Sequence, residues 1–286
     1  MALLLIHSGG TIGMGPGPEG LVPVPGKLEA ALAARLPGLP FATHAFDPLL
    51  DSAEVGPAEW NLFLDLIAAH PGADVLLTHG TDTMAFTGAA LAQALAGSGR
   101  RVVMCGSMVP LGMGGDAEAN LDLALKALET AAPGVWLAFA GRLVAAGGLV
   151  KADSHADDAF ASVPQTDPVP RSNPRFGTAR VAILSLTPGL PVPALAAALE
   201  HLDGAVLRVF GAGTAMSDPD VAGALRRAVA RGCRIRAVSQ CLQGGLTPGA
   251  YAAGAGLWAA GVENGGFETP EAALVRLMLD LGNTGS

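Results

Sequence analysis

Lysine is scarce in this 286-residue chain: Lys27, Lys126 and Lys151 are the only three. Charged residues make up 15% of the sequence and the formal net charge is -8, so no basic surface is available for nucleic-acid phosphates. Cysteine occurs three times, as Cys105, Cys233 and Cys241, without paired metal-type spacing. So sparse and odd a set excludes a disulfide framework and points to reduced thiols in the cytoplasm. Aromatics are few, and Tyr251 is the single tyrosine. No apolar run approaches the ~20 residues that cross a bilayer, so no membrane span is expected. The apolar start at Met1–Ile6 has no basic lead and meets glycine at once, so no signal peptide is expected either.

What the chain has is a hydrophobic half: 50% of its residues are apolar, enough for a sizeable core. Short apolar runs alternate with amphipathic segments. The runs predict strands at Leu3–Ile6, Phe41–Phe46, Val75–Thr78, Val102–Cys105 and Val135–Ala140. Helices are expected between them at Leu28–Leu36, Ala58–Ala69, Met84–Leu95 and Ala117–Leu128, with Pro57 and Glu59 suited to a first helical turn. Four prolines between Pro164 and Pro174 read as an extended linker, after which the alternation resumes from Val181 to a last helix at Pro270–Leu281. The fold class is therefore α/β: a larger N-terminal domain (1–163) with a parallel-rich sheet and flanking helices, a linker (164–178), and a smaller C-terminal α/β domain (179–286).

Two of the predicted strands end in glycine and threonine: Leu3–Ile6 runs into His7-Ser8-Gly9-Gly10-Thr11-Ile12, and Val75–Thr78 into His79-Gly80-Thr81-Asp82-Thr83-Met84. The carboxyl edge of an open α/β sheet is where ligands bind, so each hydroxyl is delivered to a candidate site. Taken alone, Gly9-Gly10-Thr11 is an ordinary βα turn, and Asp82 and Thr83 are candidate caps for the helix that follows. Gly13, Gly15 and Gly17 lie in a proline-containing stretch with no helix opening in place, which rules out a dinucleotide fingerprint. A threonine hydroxyl is a weak nucleophile that needs a base, and a lysine oriented by a carboxylate can serve. Lys151-Ala152-Asp153-Ser154-His155-Ala156-Asp157-Asp158 reads by itself as a solvated polar loop, with no familiar metal spacing. Gly-x-Ser-x-Gly and His-Glu-x-x-His are both absent.

Gly9-Gly10-Thr11-Ile12 together with His79-Gly80-Thr81-Asp82-Thr83-Met84 resembles the two signature segments of bacterial-type L-asparaginases. Further stretches fit in order: Asp51-Ser52, Cys105-Gly106-Ser107-Met108, Asp116 to Asn120-Leu121, Lys151 ahead of Phe160, and Ser239-Gln240-Cys241 with Gly249-Ala250-Tyr251, the last similar to the cytoplasmic type I branch. The resemblance spans nearly the whole chain. It implies hydrolysis of the side-chain amide of L-asparagine without metal or organic cofactor, in a homodimer or homotetramer. Thr11, Thr81, Asp82 and Lys151 are then the catalytic residues, with Thr11 as acyl-forming nucleophile and Thr81, Lys151 and Asp82 as a second triad. Which threonine attacks first stays open. Asp51, Ser52, Gly80, Thr81, Asp82 and Ser107 would hold substrate, and His79 would support the site from behind.

Departures accompany the resemblance. The family's usual tyrosine in the loop after the first threonine is replaced by Leu21, which can neither donate nor accept a proton. The Gly- and Pro-rich loop Gly13–Gly26 is expected to act as a lid. No carboxylate lies between Ala250 and Gly261, where periplasmic relatives supply an acid from a neighbouring subunit, and Thr214 stands where those relatives use an asparagine. Two other readings follow: a non-catalytic asparagine or aspartate sensor, and the asparaginase-like subunit of a tRNA-dependent amidotransferase.

Overall fold

The computed structural model describes residues 2–282. The chain divides into two compact units, one of residues 2–162 with Pro168–Arg171, the other of Val163–Asp167 with residues 172–282. The stretch expected as a linker contributes short segments to both units and carries no regular element from 163 to 180.

In chain order the first unit contains β1 (Ala2–Gly9), β2 (Met14–Gly17), β3 (Gly20–Pro23), α1 (Lys27–Arg35), β4 (Ala42–Leu50), α2 (Pro57–Ala69), β5 (Ala73–Thr78), α3 (Met84–Ala94), β6 (Arg101–Cys105), α4 (Ala117–Thr130), β7 (Gly134–Phe139), β8 (Arg142–Ala145), β9 (Leu149–Lys151) and β10 (Phe160–Ser162). Six strands form one sheet in the order β4-β1-β5-β6-β7-β8, parallel except for β8, which pairs antiparallel with β7. Leu3, Leu4, Leu5 and Ile6 of β1 are all at most 2% exposed, because a central parallel strand is covered on both faces. Leu3 and Leu5 pack with Leu28 and Leu32 of α1 and with Leu121, Ala124 and Leu128 of α4. Pro57 opens α2, and Glu59 Oε2 accepts the Gly56 N–H at 2.9 Å, satisfying one of the free donors of the first turn.

The strand order turns back at β1: the chain goes from β1 outward to β4, then returns past β1 to β5 and continues to β6 and β7. The carboxyl ends of β1 and β5 therefore flank the crevice at a topological switch point. The segment Gly13–Gly26, expected as a loop, is instead a hairpin in which β2 pairs with β3 from Met14↔Pro23 to Gly17↔Gly20.

The second unit contains β11 (Val181–Ser185), α5 (Val192–Glu200), β12 (Gly204–Val209), α6 (Pro219–Ala230), β13 (Arg234–Ser239), α7 (Ala255–Ala259), β14 (Glu263–Asn264) and α8 (Pro270–Gly282). Its four strands form a parallel sheet in sequence order. Leu195, Leu199, Leu225 and Ile235 lie in the core on one face, and Ala273 and Leu277 of α8 pack on Val206 and Val238 on the other. Arg234 bonds Glu263 and Asp280, and Arg236 bonds Glu263 and Glu268, so the charged groups at the sheet end compensate one another.

Candidate active site

The site is assembled at the switch point by close backbone approach. Gly10, at φ +91°, follows β1, and a β-carbon on it would lie 2.6 Å from Gly80 N, so only glycine lets the two strand ends meet. Thr11 comes next, half-buried, as the first residue of a 3-10 turn over Thr11–Gly13. Gly80 in turn presses on Ser52: a β-carbon there would stand 2.8 Å from both Cβ and Oγ of Ser52. The Thr11 turn, the Gly80 turn and Ser52 are thus held in one place by the backbone.

Lys151 reaches this place from the end of β9, which is fixed by the Lys151↔Phe160 pairing with β10 and by the edge-to-face contact of Phe160 with Phe139 at 5.1 Å. Lys151 Nζ donates to Thr81 Oγ1 at 2.9 Å and to Asp82 Oδ1 at 2.5 Å. The lysine side chain is 16% exposed and that of Asp82 is 74% exposed, so the ion pair has one face in the protein and one toward solvent. The ammonium cannot keep both contacts unless Thr81 stays beside Asp82. Thr83 Oγ1 donates to Ser52 O at 2.5 Å and makes no helix-capping bond. Thr83 and Asp82 are therefore not the side-chain caps that the sequence allowed: both point to other partners. No hydrogen bond from the Thr11 hydroxyl is found among the described residues.

His79 is fully buried behind Gly80. Its Nδ1 lies 2.7 Å from Gly80 O, which can only accept, so Nδ1 carries the proton. Nε2 is then an acceptor for the Thr87 hydroxyl at 2.9 Å, whose oxygen accepts the Trp60 indole N–H at 3.0 Å. Every donor in this chain from α2 through α3 to the Gly80 turn has one acceptor. Burial holds the imidazole down at about 4, hence neutral, and no base is offered to the crevice.

A second clamp shapes the turn after β6. Asp116, just before α4, accepts the N–H groups of Met108 and Val109 at 2.9–3.0 Å. Asn120 donates to Gly106 O and to Asp116 Oδ2, each at 3.0 Å, and accepts from Ala140 N at 2.9 Å. Spacing alone did not reveal these tasks. The turn holds Ser107, which is buried with an unpartnered Oγ, next to Gly106. Cys105, also buried, has its thiol pushed up to about 12 by desolvation and by the charge of Asp116, so it is no nucleophile.

Other expected residues are engaged elsewhere. The exposed Asp51 accepts the N–H of Ala53 with Oδ1, capping the short turn that carries Ser52. Asp153 accepts from His155 N and Ala156 N, which makes the polar loop after Lys151 a self-bonded turn. Leu21 lies in β3, 44% exposed. In the second unit Tyr251 is exposed, and Thr214 bonds backbone-to-backbone with Phe210 at 3.0 Å.

The family model described as "Asparaginase, N-terminal" matches residues 2–174, and that of the "Glutaminase/Asparaginase C-terminal domain" matches residues 180–286. The chain belongs to the asparaginase family. It is 31% identical to L-asparaginase 1 of Escherichia coli K12, with 96% of this chain and 90% of that protein aligned. It is also 31% identical to a human 60 kDa lysophospholipase, of which 58% is covered by 99% of this chain. Among solved structures it resembles L-asparaginase I from Vibrio cholerae (TM-score 0.85, 33% identity, 100% of this chain and 94% of that one). The thermostable L-asparaginase from Thermococcus kodakarensis is similar at TM-score 0.82 and 29% identity, over 99% and 94% of the two chains.

Proposed function

We propose that this chain is an L-asparaginase, which hydrolyses the side-chain amide of L-asparagine to L-aspartate and ammonia through a threonine nucleophile. One observation carries the mechanism: Lys151 Nζ lies within hydrogen-bond reach of both the Thr81 hydroxyl and the Asp82 carboxylate. Asp82 orients the lysine and takes a proton from its ammonium, and the amine so formed removes the Thr81 proton as that oxygen attacks a carbonyl, or through Thr81 the proton of an attacking water. Thr11 is assigned the first attack, in which its oxygen bonds the carbonyl carbon as the carbon–nitrogen bond breaks and its proton leaves with ammonia. The Thr81 triad is assigned the step that activates Thr81 or a water, water finally splitting the acyl bond to aspartate and returning a proton to Thr11. Backbone N–H groups at the Thr11 and Thr81 turns are the donors assigned to the oxyanion. Ser52, Gly80, Thr81 and Asp82 hold the amino-acid end of the substrate, with Asp51 and Ser107 assigned to the same pocket.

The enzyme is assigned to the cytoplasm, as a homodimer or homotetramer acting in asparagine breakdown. Cys105, Cys233 and Cys241 are all free thiols, which supports a reducing compartment. None of the described helices is long and apolar enough to cross a membrane. The catalytic residues are assigned to an N-terminal domain of residues 1–163, joined by 164–178 to a C-terminal domain of 179–286.

Ammonia release from asparagine and from glutamine, assayed side by side on wild type, Thr11→Ala and Thr81→Ala, tests the reading. Turnover of asparagine that both folded variants lose is the expected result. Calorimetric binding of asparagine without ammonia from wild type would replace the enzyme by a sensor. Activity appearing only with a partner protein would replace it by an amidotransferase subunit.

A further inference from the structure

The buried hydrogen bonds behind Gly80 end on one particular peptide. Trp60 Nε1 donates to Thr87 Oγ1 at 3.0 Å, the Thr87 hydroxyl to His79 Nε2 at 2.9 Å, and His79 Nδ1 to Gly80 O at 2.7 Å. Both ends fix the direction: an indole N–H only donates and a carbonyl oxygen only accepts. The single proton of Thr87 is thus left for Nε2, and the single proton of the neutral ring for Gly80 O. All three side chains are buried, so water does not compete for these bonds.

A trans peptide sets its C=O and its N–H on opposite sides. The Gly80–Thr81 peptide is trans, and Gly80 O is turned onto the buried ring, so the Thr81 N–H points away from that ring. This N–H finds no acceptor among the described residues. Thr81 is half-buried beside the exposed Asp82, whereas Gly80 is buried. The acceptor end of the peptide is therefore tied inside the protein and its donor end is left for a ligand. A carbonyl that accepts a hydrogen bond also makes the N–H across its peptide a stronger donor, because linked bonds polarise one another.

We propose that Trp60, Thr87 and His79 are positioning residues of the reaction, whose linked hydrogen bonds aim and polarise the Gly80–Thr81 peptide so that the Thr81 N–H meets the oxyanion already oriented. This rests on the asparaginase reading, in which that N–H is an oxyanion donor. The three residues act on charge that develops in the transition state. They leave alone the amino-acid end of the substrate, which is assigned to Ser52 and Asp82. Breaking the relay should lower kcat and leave KM nearly unchanged. One oxyanion donor is worth about 10²–10³ in kcat, and polarisation strengthens a hydrogen bond by about 10–30%, so the loss should be about two- to eightfold.

The test is Thr87→Val in the full chain, which keeps the shape of the side chain and removes its hydroxyl. Ammonia release from asparagine gives kcat and KM. The nitrogen-15 resonance of the Thr81 amide, read without substrate, reports the polarisation of the peptide. A fall in kcat of about two- to eightfold is expected at nearly constant KM, with the Thr81 resonance displaced and that of Val206 in β12 unmoved. Thr87→Ser, which restores the hydroxyl, should recover both quantities. Trp60→Phe removes only the first donor and serves if Thr87→Val does not fold: it should displace the Thr81 resonance in the same direction by less. Wild-type kcat in folded Thr87→Val, a loss carried by KM, or an unmoved Thr81 resonance overturns the proposal. An inactive wild type would refute the asparaginase reading instead, and the resonance would still decide whether the relay polarises the peptide.

Discussion

Gly10 and Gly80 sit 70 positions apart and pass so closely that a β-carbon on Gly10 would stand 2.8 Å from Gly80 Cα. The two threonine-bearing turns depend on that approach. Gly10→Ala should cost about 3 kcal/mol or more, from the left-handed φ of +91° together with overpacking against backbone that cannot yield. Gly114→Ala is the matched control: its φ is +73° with nothing within 4 Å of the added carbon, so only about 1–2 kcal/mol is expected. Urea midpoints of the two variants measure the difference, and equal losses would mean that the close approach contributes nothing.

The fold was largely legible because its central strands are buried on both faces. Leu3–Ile6 and Val75–Leu77 are continuous apolar runs, as central parallel strands covered on both faces require. The β2–β3 hairpin was not legible. Its strands lie largely open to solvent and carry Gly and Pro, so backbone pairing holds them without any alternating pattern. β9, β10 and β14 are two or three residues long, too short for a period to register. The same holds for Lys151. Its partners stand 69 and 70 positions upstream, and within its own sequence neighbourhood it reads as surface. Only the family resemblance singled it out. Asp51 carries a second task that the sequence did not show: its Oδ1 accepts the N–H of Ala53 and caps the turn that carries Ser52.

Replacing Lys151 separates charge from proton transfer. Lys151→Met removes both contacts and should lower kcat by about 10²–10⁴, the usual contribution of a positioned acid–base group. Lys151→Arg keeps a cation beside Asp82 but cannot give up its proton at neutral pH, so it should fall nearly as far. Steady-state ammonia release gives kcat and KM for each. An arginine variant retaining more than about a tenth of kcat would reduce the lysine to an electrostatic role.

Asn120 supports the Ser107 turn with three hydrogen bonds while only 1% exposed. Asn120→Ala strands Gly106 O and Ala140 N and should cost about 2–4 kcal/mol. Asn120→Asp keeps the acceptor for Ala140 N but sets a second carboxylate against Asp116 Oδ2. That variant should be destabilised at pH 7 and recover part of the loss below about pH 4–5, where the introduced carboxylate takes a proton. Urea midpoints at the two pH values check it, and a pH-independent deficit would show that repulsion is not the cause.

His79 makes the stability of the fold depend on acidity. Its folded value of about 4 lies below the ordinary 6.5, so between those values the unfolded chain holds a proton that the folded chain refuses. The burial of a neutral ring is therefore without penalty above about pH 7.5, and stability is lost as the pH falls from about 6.5 toward 4, at up to about 1.4 kcal/mol per pH unit. His7 is shifted in the same direction and adds to the wild-type slope, so the informative quantity is a difference. His79→Gln removes one of the two titrations. Whatever its absolute stability, its unfolding free energy should change less steeply between pH 5 and 6 than that of wild type, by close to one proton. Identical slopes from urea unfolding at several pH values would show that His79 is protonated as readily in the folded chain as in the unfolded one, and the directed chain from Trp60 through Thr87 to Gly80 would have to be redrawn.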